Sequence, residues 1–411
     1  SHFGSGLSSL FAALSRFPTL RRRALLAMST RCACAVFATL VLACTAQNIV
    51  RSNMHWNDTD GRRIEAHSAG MFQSPVDGRW YWYGESKKTR GLAGHGVNCY
   101  SSESIAGPWR NEGQVLSQQN IIQPDTKGPF IVERPKVLYN METKMFVMWF
   151  HLDTEGYKYR HVGVAQSSSP TGLFQYVHGM KPDGINSLDM SLFLDPVDGQ
   201  AYFVRSCNNE YVGISRLTKD YLSSTGMISN HSVFEGMSLF RHRNGTYYMM
   251  TSHLTGWDPN PLMLFRAQGE TLDDPQWIDM GNPTGSNKSF NSQPTYVVEY
   301  TPKSGEPYFV YMADNWVHCP NEDGTEGPLI NACYIWLPIQ FHKNSVTMDY
   351  QAEWDLEDPF SLPGAPRLLL GVTRLFLMFT LVVVVVLVCS RQARQFEPAL
   401  PSRASKYTYF L

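Results

Sequence analysis

FEGMSLFRHRNGTYYMMTSH, residues 234–253, reads as two alternating runs joined by Asn244-Gly245. An Asn-Gly pair between apolar or aromatic runs is a strong hairpin signal, because both residues tolerate the positive φ of a tight turn. The unit recurs as DGRWYWYGES at 77–86, ETKMFVMWFH at 142–151, DGQAYFVRSC at 198–207 and GEPYFVYMAD at 305–314. A further strand-like run follows each one: GVNCYSS from Gly96, HVGVAQS from His161, YVGISRL from Tyr211, PLMLFRA from Pro261 and ACYIWLP from Ala332. Three of them lead into similar exits, AGPW at 106, PTGLF at 170 and DDPQW at 273. All-β units spaced roughly 45 to 65 residues apart, with no convincing amphipathic helix between them, predict an all-β, five-bladed β-propeller rather than a sandwich.

A shorter run precedes each hairpin and would form the innermost strand of its blade: IEAHSAGMF from Ile64, VERPKVLYN from Val132, LDMSLFLD from Leu188, FEGMSLFRH from Phe234 and NSQPTYVVEY from Asn291. Near the start of each stands a large polar residue: Glu65 or His67, Glu133, Asp189, Glu235 and Gln293. One such residue at a strand entrance is ordinarily a solvated edge charge. Inner strands surround a propeller's axis, however, so five in register converge on one candidate site. Clustered carboxylates are costly unless one is protonated or a cation is near, and catalytic sites use such clusters to shift pKa values. Glycoside cleavage needs this constellation, with one carboxylic acid protonating the leaving oxygen while another group activates a nucleophile.

Most of the aromatic residues are expected in the blade cores. Trp257 in TSHLTGWDPN and Trp316 in MADNWVHC follow strand ends, from where an indole can stack on a sugar ring. His67 is a candidate metal or water ligand near the axis, but no second histidine stands at ligand spacing. No metal site and no cofactor are expected, with a structural calcium ion at the axis left as an alternative.

The 411 residues are 43% hydrophobic and 13% aromatic, enough to bury a large core, and their net charge of −1 carries no basic footprint of a nucleic-acid binder. Residues 1–46 read as a leader and signal peptide. Met28 opens a segment with a basic start at Arg31, an apolar stretch from Ala33 to Ala43 and small residues before Gln47. The propeller is assigned to 50–360 and a linker to 361–367. A single apolar span at 368–390, long enough to cross a bilayer and interrupted at Arg374, precedes a short tail at 391–411 with Arg391, Arg394, Arg403 and Lys406. Sequons at Asn57, Asn230, Asn244 and Asn287 suit the same secretory route. The expectation is a monomer, membrane-anchored through the C-terminal helix with the propeller extracellular or lumenal, or secreted, that acts on an oligosaccharide or polysaccharide. Of the interior cysteines, Cys319 and Cys333 could form a disulfide, with free buried thiols the alternative.

The segments AHSAG with WYWYGE, VERPKVLYN, DMSLFLD, TSHLTGW, Gln293 in SQPTYV and YIWLPIQF, in that order over roughly 60 to 345, resemble glycoside hydrolase family 43, most closely its exo-β-1,3-galactanase branch. The resemblance implies a five-bladed propeller and inversion at the anomeric carbon. It casts Glu235 as general acid, Asp189 as the residue that keeps this acid protonated, and Glu133 as a ligand of sugar hydroxyls. The wider family's aspartate base has no plain match. The branch's glutamine, here Gln293, would orient or activate the water, and Glu65, close to the usual position of that base, is its rival. Tyr157 and Thr255 resemble substrate-contacting positions. AHSAG replaces a more glycine-rich form, and Asn315 precedes Trp316 where the family tends to have arginine. Activity on arabinan or xylan, and sugar binding without turnover, are the alternatives.

Overall fold

The turns form where the glycines permit them: Gly78, Gly199 and Gly245 take φ of 73°, 73° and 91°, and each reverses an inner strand into its partner. The computed structural model describes residues 48–87, 96–303, 305–321, 327 and 329–361. The expected leader, the linker beyond Ser361, the apolar span and the tail lie outside the described residues, among which no helix is long and apolar enough to cross a membrane. The chain divides into a unit ending at Pro359 and another beginning at Phe360.

Strand β1 (Ile49–Arg51) comes first, and the blades follow in chain order. Blade 1 holds β2 (His67–Gln73), β3 (Trp80–Glu85), β4 (Gly96–Ser102) and β5 (Arg110–Ser117). Blade 2 holds β6 (Phe130–Asn140), β7 (Met145–Thr154), β8 (His161–Ser167) and β9 (Gln175–Met180). Blade 3 holds β10 (Ser187–Leu194), β11 (Ala201–Cys207), β12 (Tyr211–Leu217) and β13 (Ser224–His231). Blade 4 holds β14 (Glu235–Arg241), β15 (Tyr247–Ser252), β16 (Met263–Ala267) and β17 (Trp277–Asp279). Blade 5 holds β18 (Gln293–Tyr300), β19 (Tyr308–Asn315), β20 (Cys333–Phe341) and β21 (Val346–Thr347). Every sheet is antiparallel and ordered as in the sequence. β1 pairs with β22 (Glu353–Asp355) in a separate two-stranded sheet that ties the two ends of the domain together. A disulfide joins Cys319 to Cys333 across the loop between β19 and β20, whereas Cys99 and Cys207 are free and buried.

The core is a ring of five clusters, one at each blade-to-blade interface. Alternation along the second strand of each blade builds it, because successive side chains face opposite neighbours. In WYWY, Trp80 and Trp82 pack toward blade 5, while Tyr81 and Tyr83 pack toward blade 2. In β7, Phe146, Met148 and Phe150 face blade 1 while Val147 and Trp149 face blade 3. The aromatic abundance is therefore spent mainly on interfaces. The four sequon asparagines are all exposed.

Trp82 is fully buried, lies 4.7 Å from the rings of both Tyr334 and Trp336, and donates its indole N–H to the carbonyl of Ala66. Trp82→Ala removes a ring that packs directly on Tyr334 and Trp336 between the first and last blades. We expect it to lower stability by about 3–5 kcal/mol, read as a lower urea midpoint at unchanged slope.

Candidate active site

Each of the five inner strands shifts register against its neighbour close to its polar residue: between His67 and Gly70, Glu133 and Lys136, Ser187 and Met190, Glu235 and Ser238, and Pro294 and Tyr296. Such bulges re-aim side chains that a regular strand would send to opposite faces. In β6 the shift includes Arg134 at φ 50°, and Glu133 and Arg134, adjacent in sequence, both line the same cavity. In β14 the corresponding residue is Gly236 at φ 60°, a conformation in which a Cβ would crowd Gln293.

The cavity encloses about 260 Å³, and every blade contributes to its wall. Ser68 and Glu85 come from blade 1, and Glu133, Arg134, His151, Tyr157 and Arg160 from blade 2. Leu188, Asp189 and Asn209 come from blade 3, Glu235, Gly256 and Trp257 from blade 4, and Gln293 from blade 5.

Arg134 occupies the centre of one side. Its Nη2 lies 2.7 Å from Oδ2 of Asp189 and 2.6 Å from Oε1 of Gln293, and its Nη1 donates to the Pro294 carbonyl at 3.1 Å. Asp189 also accepts the backbone N–H of Gly236 at 3.0 Å. Glu235 accepts from Nε2 of Gln293 at 3.0 Å. Burial, reinforced by the negative charge of Asp189, pushes the Glu235 carboxyl up to about 8 against the opposing pull of Arg134, Gln293 and the Thr255 backbone N–H.

The other side is ionised. Glu133 accepts from Lys87 at 3.0 Å and from the Tyr157 hydroxyl at 3.1 Å, and its second oxygen lies 3.5 Å from Nδ1 of His151. Burial alone would raise its pKa, but Lys87 and His151 outweigh burial and hold it down to about 2. His151 is tied to Asp153 at 3.0 Å, and although burial disfavours its charge, the two carboxylates hold it up to about 9. Glu85 bonds Lys87 at 3.1 Å and accepts from the Ser68 hydroxyl at 3.0 Å, yet burial, with Glu133 adding to it, raises it to about 7. The cavity thus holds a neutral carboxyl and an ionised one at pH 7, the separation that acid–base chemistry requires.

Of the residues singled out in the sequence, Glu133, Tyr157, Asp189, Glu235, Trp257 and Gln293 line this cavity. Thr255 reaches it only through its backbone N–H to Glu235, since its hydroxyl donates to the Asp258 carbonyl. Glu65, His67 and Trp316 do not form the wall. Glu65 precedes the first inner strand and faces Arg63 at 3.4 Å, and His67 is fully buried against Asp314 at 3.1 Å and the ring of Tyr334. Trp316 is 3% exposed and donates to Gln293 at 2.9 Å. Sequence reasoning passed over Arg134, Glu85, Lys87 and His151. Glu85 stood inside the quoted WYWYGE and Arg134 beside Glu133, but period-2 alternation gave no reason to turn Arg134 inward.

No family model matches the chain. Among curated proteins it is similar to arabinan endo-1,5-α-L-arabinosidase C of Emericella nidulans, 28% identical over 101 residues that make up 25% of this chain and 28% of that protein. A probable arabinan endo-1,5-α-L-arabinosidase C of Aspergillus fumigatus is 27% identical over 146 residues, 36% of this chain and 40% of that protein. These alignments span well under half of either relative. Solved structures match more fully. A GH43 β-1,3-galactosidase bound to galactodeoxynojirimycin is 30% identical over 74% of this chain and 100% of its own, with a TM-score of 0.65. An exo-β-1,3-galactanase from Clostridium thermocellum is 28% identical over 77% of this chain and 69% of its own, with a TM-score of 0.67. One from Phanerochaete chrysosporium, bound to β-1,3-galactotriose, is 30% identical over 75% and 68%, with a TM-score of 0.64.

With glutamate carboxyls labelled with ¹³C, the resonance lost in Glu235→Gln is expected to titrate with a midpoint near 8. In Asp189→Asn that midpoint falls, because a negative neighbour is removed while Arg134 remains. An unmoved midpoint would mean that Asp189 is not what keeps Glu235 protonated.

Proposed function

Because the chain belongs to glycoside hydrolase family 43, we propose that it removes single galactose units from the ends of β-1,3-galactan or arabinogalactan-type chains, with inversion. The observation that carries this reading is the contrast between Glu235, neutral at pH 7, and Glu133, ionised across the same cavity. The similarity to β-1,3-galactan-cleaving enzymes supports the sugar and linkage. A cavity of about 260 Å³, below the roughly 300–1,000 Å³ of sites for drug-sized ligands, suits one terminal ring.

In this mechanism Glu133 and Tyr157 hold hydroxyls of the terminal sugar and Trp257 packs on its face. Glu235 donates its proton to the glycosidic oxygen as the bond to the anomeric carbon breaks, and water attacks that carbon from the opposite face. Gln293 can orient the water through its remaining N–H. Its oxygen already accepts from Arg134 and Trp316, so the water's proton goes elsewhere. Glu133 is committed to Lys87 and Tyr157, and Asp189 to Arg134 and Gly236. Glu85, with a midpoint near neutrality and a buried Oε2 that has no hydrogen-bond partner among the described residues, is the cavity carboxyl left to take that proton once the attacking water reaches it. The secretory route and the membrane tether belong to the same proposal, and the exposure of all four sequon asparagines supports it.

The purified domain is expected to release galactose from β-1,3-galactobiose, and Glu235→Gln to slow release by about 100- to 10,000-fold while folding is retained. Turnover should fall as pH rises through about 8, because the acid must be protonated. A dinitrophenyl galactoside, whose leaving group needs no proton, should restore Glu235→Gln but not Glu85→Gln. A Glu235→Gln rate equal to wild type on the disaccharide would refute the assignment. The curated arabinanase matches favour a second reading, in which arabinan is the substrate. Release of arabinose rather than galactose across a panel of polysaccharides would establish it instead, and binding without release would mark a lectin.

A further inference from the structure

The side-chain oxygen of Gln293 accepts two hydrogen bonds, from Nη2 of Arg134 at 2.6 Å and from Nε1 of Trp316 at 2.9 Å. Both partners are donors only, so the carboxamide has a single workable sense: turned over, it would set its NH₂ against two N–H groups. In that sense Nε2 faces Glu235 and donates to Oε1 at 3.0 Å. The two N–H groups of that Nη2 serve Asp189, at 2.7 Å, and Gln293, so Arg134 gives the amide oxygen one donor and Trp316 gives it the second. Among the described residues, the indole N–H of Trp316 has no second acceptor.

We propose that Trp316 is a positioning residue that acts through Gln293: with Arg134 it fixes the sense of the carboxamide, which makes Oε1 of Glu235 an acceptor and leaves Oε2 to carry and deliver the proton. The proposal rests on the reading of Glu235 as proton donor. Without the indole donor a single N–H of Arg134 opposes rotation of the amide, and in the turned form its oxygen would meet Glu235 instead. The acid would then direct its proton into Gln293 rather than toward the substrate.

Trp316 is built to hold this position. Its ring meets Trp257 edge-on at 5.1 Å, and the Lys87 ammonium lies 5.7 Å from its centroid. On the chain it sits between Asn315, whose amide donates to Asn53 at 2.8 Å, and Cys319, which is cross-linked to Cys333. Trp257 lines the cavity, so the indole pair couples the wall that faces the sugar to the amide that faces the acid.

The test compares wild type, Trp316→Phe and an enzyme carrying benzothienylalanine at position 316, which keeps the bicyclic shape and replaces N–H by sulfur. On β-1,3-galactobiose both changes are expected to lower kcat by roughly 10-fold with KM within about 2-fold. The alkaline limb of the kcat profile should move to higher pH, because a hydrogen bond that favours the Glu235 anion is lost. In a Gln293→Ala background neither change should lower kcat further, since the residue through which Trp316 acts is gone. If the loss were purely structural, it would multiply with Gln293→Ala and leave the pH limb in place, and either result would overturn the proposal. Wild-type kinetics from the benzothienylalanine enzyme would overturn it too, even if Trp316→Phe failed to fold. A wild type that releases no sugar would bring down the functional reading and the role of Trp316 with it, whereas multiplying losses in an active enzyme would bring down the role of Trp316 alone.

Discussion

A single buried guanidinium holds the site together. Arg134 is 4% exposed, and a charge so far from water must be compensated locally. Asp189 supplies the counter-charge at 2.7 Å, while the Gln293 oxygen and the Pro294 carbonyl take further donors. Two consequences follow from that one contact set. The ion pair keeps a negative charge beside Glu235, which adds to the effect of burial in keeping this second carboxyl protonated near pH 7. The second donor orients Gln293, and through it the acid.

Arg134 can reach this place only because β6 is irregular. In a regular strand Glu133 and Arg134 would point to opposite faces, so one would enter a blade interface as an unpaired charge. The register shift at residues 133–136, with Arg134 at φ 50°, sends both into the cavity. Similar shifts recur in the other four blades. The ladder bonds lost at each bulge are confined to the axis, where side chains and backbone N–H groups such as that of Gly236 form polar contacts instead.

This geometry explains what could be read from the sequence. Turn signals and alternating aromatics mark hairpins locally, and a recurring local pattern determines blade number, so the five blades and the convergence of Glu133, Asp189, Glu235 and Gln293 were legible. Arg134 was not, because a bulge in VERPK leaves no compositional mark. Glu85 and His151 lie on second strands, where alternation predicts burial between blades, yet both line the cavity wall. Trp316 shows the opposite error. It follows a strand end, as a sugar-stacking residue would, but its ring is buried against Trp257 and its N–H bonds Gln293.

The cavity therefore keeps like groups in opposite states by giving them different neighbours. Glu133 and Glu235 are both buried, and burial pushes both toward neutrality. Two cations, Lys87 and His151, reverse that push for Glu133, while Asp189 adds to it for Glu235. Arg134 is near enough to Glu235 to oppose this, but its charge is largely cancelled by Asp189, with which it is in direct contact. The acid's protonation thus depends on the ion pair staying closed: were Asp189 to release Arg134, the freed cation would stabilise the Glu235 carboxylate and the proton would be lost. The protonation of Glu235 and the closure of the Arg134–Asp189 pair are thus physically linked in this site.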